Sequence, residues 1–259
     1  MTNNASLLLN IADTVATLTI SRPAKRNALD TATWQALAEA CATIAADSSL
    51  RAVVLQGEGD HFSAGADIHE LGEHIHDATW MANNQKTIAL ALDAFASLPQ
   101  PTIAVIRGSC YGGGAALAAA ADFRLCCDDA KFAITPSKLG LTYRLIDCLR
   151  VVELVGAARA REILLLAKEI NAATAVAWGM VTECVEPAQL PSALAATLTR
   201  VTSLSAYSAR GIKQSLLKIR AGQTADDAET QTMFADAFKS KDFAEGAAAF
   251  IEKRAPQFD

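Results

Sequence analysis

Two short runs of this sequence could do chemistry through backbone rather than side chains. The first is Gly112-Gly113-Gly114, set between an apolar, β-branched segment, Thr102 to Ile106, and an alanine-rich one, Ala115 to Ala121. The pattern reads as a buried strand, a tight turn and a helix. Glycines let another molecule approach the chain without meeting a Cβ. The following helix aims unpaired N–H groups, and the positive end of its dipole, at the turn. Such a turn suits a negatively charged or polarised oxygen. The second run is Ser63-Ala64-Gly65-Ala66-Asp67, where small residues again expose backbone and Asp67 can accept from nearby N–H groups to hold the loop.

Other motifs compete for the same glycines. The dinucleotide fingerprint G-x-G-x-x-G and the phosphate loop G-x-x-x-x-G-K-[ST] both fail on spacing. Gly108-Ser109-Cys110-Tyr111-Gly112 fits a G-x-C-x-G nucleophile elbow. That fold places its histidine after the nucleophile, whereas His61, His69, His74 and His76 all precede Cys110. Cys110 is therefore read as a packed small residue.

The elements that must position these runs follow in order. Ala16 to Ile20 alternates as a strand and Ser21-Arg22-Pro23 breaks it. Asp30 or Thr31 caps an amphipathic helix to about Ala46, and Ala52 to Gln56 is a second buried strand. Strand, helix, strand predicts a crossover unit. A long helix spans Thr79 to Leu98 and ends at Pro99-Gln100-Pro101. After the glycine turn come strands at Phe123 to Cys127 and Lys131 to Ile134, then helices at about Leu149 to Ala167, Ala172 to Trp178 and Leu190 to Ser203. The remainder, Ala206 to Lys253, reads as an all-helical tail. The expected organisation is an α/β core over 1–200 and a helical region over 201–259.

Composition narrows the class. At 259 residues, 51% hydrophobic and 20% charged, the chain has the core and surface of an ordinary globular enzyme or binding protein. A net charge of -5 argues against nucleic-acid binding, although Lys25-Arg26 and Lys253-Arg254 could meet phosphates locally. The six cysteines show no C-x-x-C pair or metal-ligand spacing, so no metal is expected and adjacent Cys126-Cys127 reads as core. No signal peptide or membrane-spanning run is indicated, and the expected setting is the reducing cytoplasm.

Four motifs carry a resemblance. Ser21-Arg22-Pro23-Ala24-Lys25-Arg26-Asn27-Ala28-Leu29, the FSAGADIHEL run at 62–71, the glycines at 112–114 and the closing EGAAAFIEKR at 245–254 resemble the crotonase (enoyl-CoA hydratase/isomerase) superfamily. The resemblance covers nearly the whole chain. It implies a spiral of ββα units, a C-terminal helical trimerisation region, and a homotrimer or dimer of trimers. It also implies acyl-CoA as substrate, coenzyme A entering as part of the thioester with no permanently bound cofactor. By position, Ala66 and Gly113 supply the two N–H groups of an oxyanion hole, worth ~3 kcal/mol each to a developing enolate. Ala24, Arg26, Ala28, Ala64 and Ile68 line the CoA path. Phe250 and Lys253 match residues that a neighbouring subunit brings to the nucleotide, Lys253 alternatively being a solvated helix-end cation.

The sequence also departs from the pattern. Hydratases of this family carry two glutamates as acid and base, and their positions hold Ala116 and Ser137 here. Ordinary enoyl-CoA hydration is not expected from those residue types. The run Ile134 to Tyr143 is similar to the T-P-x-x-L-G-x-x-Y segment of the methylmalonyl-CoA decarboxylase branch, which implies Tyr143 facing a substrate carboxylate. That branch usually keeps the first glutamate, so Ala116 departs from it too. The alternative for Tyr143 is a half-buried tyrosine with a satisfied hydroxyl. Arg144 and Asp147 are read as facing the cavity or as a solvated helix face, and His69 as facing solvent or the long helix. The function expected is an acyl-CoA enzyme that stabilises a thioester enolate. The alternatives are a decarboxylase of a malonyl-type acyl-CoA and a non-catalytic acyl-CoA-binding trimer.

Overall fold

The computed structural model describes residues 6–258. Its centre is a six-stranded sheet in the order β1 (Leu7–Ala12), β2 (Val15–Ile20), β3 (Ala52–Gly57), β4 (Thr102–Ile106), β6 (Phe123–Cys127), β9 (Glu183–Val185). β1 and β2 form an antiparallel hairpin, and every later pairing in this sheet is parallel. The hairpin was not expected from the short apolar run at 7–12. Beyond Leu7 that strand is largely open to solvent, which leaves little hydrophobic signal. A second, three-stranded sheet joins β5 (Ser109–Tyr111), β7 (Lys131–Ala133) and β8 (Ile170–Asn171).

The central parallel strands β3, β4 and β6 are buried on both faces, as their continuous apolar runs predict. Val53, Leu55, Ala104, Ile106 and Cys126 enter the main core. Their alternates Val54, Ile103, Val105, Leu125 and Cys127 enter a smaller one, under Leu194 and Leu198 of α7 (Leu190–Thr202). Alternation also sends Cys126 and Cys127 to opposite faces, so they pack rather than pair.

α1 (Thr31–Ala46) crosses from β2 to β3, and its N-cap is Asp30, whose carboxylate accepts from the Thr33 N–H. α2 (Ile68–Glu73) is a short helix that the sequence reading left inside a loop, and α3 (Ala78–Ala96) is the long helix, packed on α1. α4 (Gly113–Ala120) starts within the glycine turn, and every residue from Gly114 to Ala120 is buried. A helix so enclosed needs side chains no larger than alanine wherever neighbours press closest. α5 (Leu145–Leu165) begins four residues earlier than expected and is broken at Gly156, whose φ is +75°. After α6 (Ala172–Ala177) and β9 the chain is helical, ending in α8 (Ala206–Arg220), α9 (Ala228–Ala237) and α10 (Lys241–Glu252).

The helical tail is anchored by charge rather than by apolar burial. Buried Lys213 on α8 donates to the Gln100 carbonyl at 2.9 Å and to the Asp122 carboxylate at 2.6 Å. Ile212, Leu216, Ile219, Phe234, Phe238 and Phe243 remain exposed. Among the described residues no helix is long and apolar enough to cross a membrane.

Candidate active site

The two small-residue runs lie side by side. A parallel bridge pairs Ser63 with Cys110, through bonds from the Ser63 N–H to the Ser109 carbonyl (2.9 Å) and from the Tyr111 N–H to the Ser63 carbonyl (3.0 Å). The same alignment continues two residues on, where a Cβ built on Gly65 would come within 3.6 Å of the Gly112 Cα. One residue further along each run come Ala66 and Gly113. Neither the Ala66 N–H nor the Gly113 N–H has a partner among the described residues.

Geometry explains why those two are free. Leu29 bridges Ala66 in parallel: the Leu29 N–H donates to the Gly65 carbonyl (2.8 Å) and the Asp67 N–H to the Leu29 carbonyl (2.9 Å). That bridge uses the groups on either side of Ala66 and leaves its own N–H on the opposite edge. Gly113 is the first residue of α4, where no preceding turn supplies an acceptor. The Gly112 carbonyl, in contrast, accepts from the Ala116 N–H at 3.0 Å and from the Tyr143 hydroxyl at 2.9 Å.

The first loop is tied down by a charged web. The buried Asp67 carboxylate accepts from Arg22 (2.8 Å), Lys25 (2.9 Å) and the His69 N–H (3.2 Å). Burial works to raise its pKa, but the hydrogen bonds from Lys25 and Arg22 outweigh it and hold the group at about 2. Arg22 also pairs with Asp30 at 3.0 Å and donates to the Ala28 carbonyl. Asn27, fully buried with φ +55°, donates to the carbonyls of Glu58 (2.9 Å) and His61 (2.6 Å). The Ser63 hydroxyl donates to the Asn27 carbonyl and accepts from the Gly65 N–H. Glu70 accepts from the Thr31 N–H at 2.9 Å and so braces the start of α1. Arg22, Asn27, Ser63 and Glu70 thus hold this site, and the sequence reading assigned none of them. Two of the four stand inside the quoted 21–29 motif.

The residues expected along the CoA path fall on the same two segments. The Arg26 carbonyl accepts from the Ala64 N–H at 2.9 Å, which joins the 21–29 segment to the first loop. Arg26 and Ile68 are exposed, Ala28 is buried, and the Arg26 guanidinium makes no ion pair among the described residues. Phe250 and Lys253 lie elsewhere. Phe250, 86% exposed, borders a cavity lined by Ser205, Phe243 and Phe258, and neither donor loop contributes to that cavity. Lys253 ends α10 in the left-handed conformation.

Ala116 is buried in α4 and Ser137 is exposed in a single 3-10 turn, Pro136–Leu139. Acidic groups on flanking elements are engaged: Asp67 and Glu70 as described, and buried Asp147 with Arg150 at 2.7 Å. Asp147 therefore faces neither an open cavity nor solvent, and burial raises its pKa despite Arg144 and Arg150. Arg144 forms a two-pronged pair with Asp93 on α3. His69 is exposed.

A Cβ on Gly113 points away from the turn's open side, meeting the buried Trp34 ring at 3.1 Å and Leu29 at 3.3 Å. The segment leading into the glycine turn is a short strand, β5.

Known proteins resemble the chain along nearly its whole length. The Enoyl-CoA hydratase/isomerase family model matches residues 10–259. A Mycobacterium tuberculosis protein named a probable enoyl-CoA hydratase is 30% identical, over 98% of this chain and 97% of that protein. The mitochondrial Delta(3,5)-Delta(2,4)-dienoyl-CoA isomerase of Dictyostelium discoideum is 31% identical, over 94% of this chain and 87% of the isomerase. A crystal structure of an enoyl-CoA hydratase/isomerase family protein from Hyphomonas neptunium superposes with a TM-score of 0.93 at 32% identity, covering 98% and 97% of the two chains.

Proposed function

The chain belongs to the enoyl-CoA hydratase/isomerase family, and from that premise we propose that it holds an acyl-CoA thioester oxygen between the Ala66 and Gly113 N–H groups. The observation that carries this is the pair of unpartnered N–H groups on two adjacent, separately braced loops. Forming an enolate from a thioester moves a full charge onto that oxygen. Donors fixed in advance stabilise the charge without reorganising, at about 3 kcal/mol each. Ala24, Arg26, Ala28, Ala64 and Ile68 form the CoA path, with the unpaired Arg26 guanidinium facing phosphate. The exposed apolar faces of α8 to α10 close a homotrimer or dimer of trimers, in which Phe250 and Lys253 serve a neighbouring subunit's nucleotide.

The reaction makes or protonates an enolate without a glutamate pair. A specific observation favours a second reading, decarboxylation of a malonyl-type thioester. Positions 116 and 137 carry no carboxylate, and Asp67, Glu70 and Asp147 are already engaged. Loss of CO2 generates the enolate directly and needs no base.

A screen of CoA thioesters, including crotonyl-CoA and malonyl-type ones, tests these readings. Crotonyl-CoA hydration is expected to be minimal, and turnover of the accepted thioester should be lost in Gly113→Pro. Hydration at rates normal for hydratases would overturn the reading. Tight binding of thioesters with no turnover would assign the chain as a binding trimer. Light scattering should give a trimer or hexamer, and a stable monomer at micromolar concentration would refute the assembly.

A further inference from the structure

We propose that Tyr143 is a positioning residue whose hydroxyl, by donating to the Gly112 carbonyl, orients and polarises the peptide unit that presents the Gly113 N–H to the thioester oxygen. The inference rests on the oxyanion site proposed above and adds a side chain that works through it.

The argument starts from covalent structure. The Gly112 carbonyl and the Gly113 N–H are two ends of one planar peptide unit. Whatever fixes the carbonyl fixes the N–H, and a donor on the oxygen draws electron density from the nitrogen and strengthens it as a donor. That carbonyl takes two donors. The Ala116 N–H, at 3.0 Å, is the first rung of α4 and would be there in any helix. The Tyr143 hydroxyl, at 2.9 Å, comes from a segment thirty-one residues away and is no part of the helix's own bonding. The unit also needs holding. Gly112 has φ +49° and ψ −112°, a conformation that L side chains rarely adopt, and glycine stands on both sides of the peptide bond. No Cβ at 112 or 113 resists its rotation.

Tyr143 is suited to the task. Its ring packs against the main core, and the turn at Pro136–Leu139 with Gly140 in the left-handed region leads the chain over α4. Burial and the neighbouring Asp147 carboxylate push the phenol well above its ordinary pKa, so it stays a donor throughout the neutral range. Its one proton is committed to backbone, so it acts through the peptide and not by donating to the acyl group. Tyr111 cannot substitute, because its hydroxyl is taken by Glu169 at 2.7 Å.

Isotope-edited infrared spectroscopy of bound [1-13C]butyryl-CoA tests this. In the wild type, two donors should move the thioester carbonyl band to lower wavenumber than in solution. In Tyr143→Phe about a tenth to a third of that shift should be lost, with the dissociation constant changed less than about threefold. The rate on an accepted thioester should fall only about two- to eightfold, since ~10–30% of an effect worth ~10²–10³ is at stake. Fluorotyrosine at 143, a more acidic phenol of the same shape, should move the band further than the wild type does. A wild-type shift that both variants reproduce unchanged overturns the role of Tyr143 and leaves the oxyanion site standing. A wild type without any shift overturns the oxyanion site and this role with it. Should Tyr143→Phe fail to fold, the fluorotyrosine protein decides: a stronger shift supports the role, and an unchanged one refutes it.

Discussion

Around Ala66 two cations converge on one buried carboxylate, whereas around Gly113 the chain is held by close packing and backbone hydrogen bonds. The first loop has Asp67, Arg22, Lys25 and Asp30 as its frame, and its glycine, Gly65, only lets the neighbouring loop approach. The second has no charged side chain from Gly112 to Ala121; its frame is a fully enclosed helix and the two donors on the Gly112 carbonyl. Both present an N–H that is free among the described residues. The difference lies in what disturbs them: the first should yield to charge changes and acid, the second to volume.

The largest expected effect follows from removing the hub of the charged loop. Asp67→Ala leaves Arg22, 16% exposed on its side chain, with only Asp30 and the Ala28 carbonyl, and should lower stability by about 3 kcal/mol, the low end for a broken buried pair. Denaturant titration measures it. The sign of the pH dependence follows from the depressed pKa. Asp67 stabilises the fold fully above its unfolded value near 4, and the contribution disappears as pH falls towards about 2. Asp67→Asn should be flatter than the wild type across that window. A wild-type acid limb that Asp67→Asn leaves unchanged would break the charge half of the comparison.

Next come the donors themselves. Ala66→Pro deletes one N–H yet leaves the Leu29 bridge, which uses the groups on either side. Turnover should fall by about 10²–10³, equivalent to ~2.7–4 kcal/mol. At the other loop, proline also suits the first position of a helix. Its carbon at the Cβ position would press on Trp34, so Gly113→Ala serves as the control, sharing the Cβ but keeping the N–H. The ratio of the two variants isolates the donor. Equal activities would remove Gly113 from the mechanism.

The donor turns were legible from sequence because they announce themselves by what they lack. Three glycines before an alanine run, and small residues before an aspartate, mark exposed backbone wherever they fold. Their frame was not. Arg22 and Asn27 work through partners thirty to forty-five residues away, and nothing local distinguishes a buried arginine from a solvated one. β5 and β8 escaped because they are three and two residues long, too short for any alternation to register. The direction of a Cβ on Gly113, into Trp34 rather than towards a ligand, depends on how α1 packs beneath α4. The missing carboxylates at 116 and 137 needed only the sequence, and the engagement of Asp67, Glu70 and Asp147 needed the coordinates.

A smaller effect tests the packing half. A Cβ on Gly114 would lie 2.7 Å from the Ser63 Cβ, closer than real Cβ contacts, and a tight 3.1 Å from the Ser63 carbonyl oxygen. Gly114→Ala should therefore push the two loops apart, costing about 1–3 kcal/mol of stability and some turnover. Ser63→Gly removes the opposing side-chain atoms at the cost of the Asn27 and Gly65 hydrogen bonds, so Gly114→Ala should cost less in that background than in the wild type. An equal cost in both backgrounds would mean that the loops do not meet through Ser63.

The smallest effect concerns Cys110, which pairs with Ser63 in that register but is assigned no chemistry. Its thiol is fully buried, and desolvation raises its pKa far above neutrality despite the partial offset from Arg124, so it does not supply a thiolate. Placing a hydroxyl there is nevertheless not free of consequence. Cys110→Ser buries a more polar group in a fully enclosed position and should cost about 1–2 kcal/mol, a melting temperature lower by about 2–8 °C for a chain of this size. Activity per folded molecule should not change. Cys110→Ala leaves no polar group to satisfy and should be milder in stability and equally silent in turnover. A folded Cys110→Ala with no activity would restore the cysteine as a nucleophile and end the assignment of the chemistry to the backbone of the two loops.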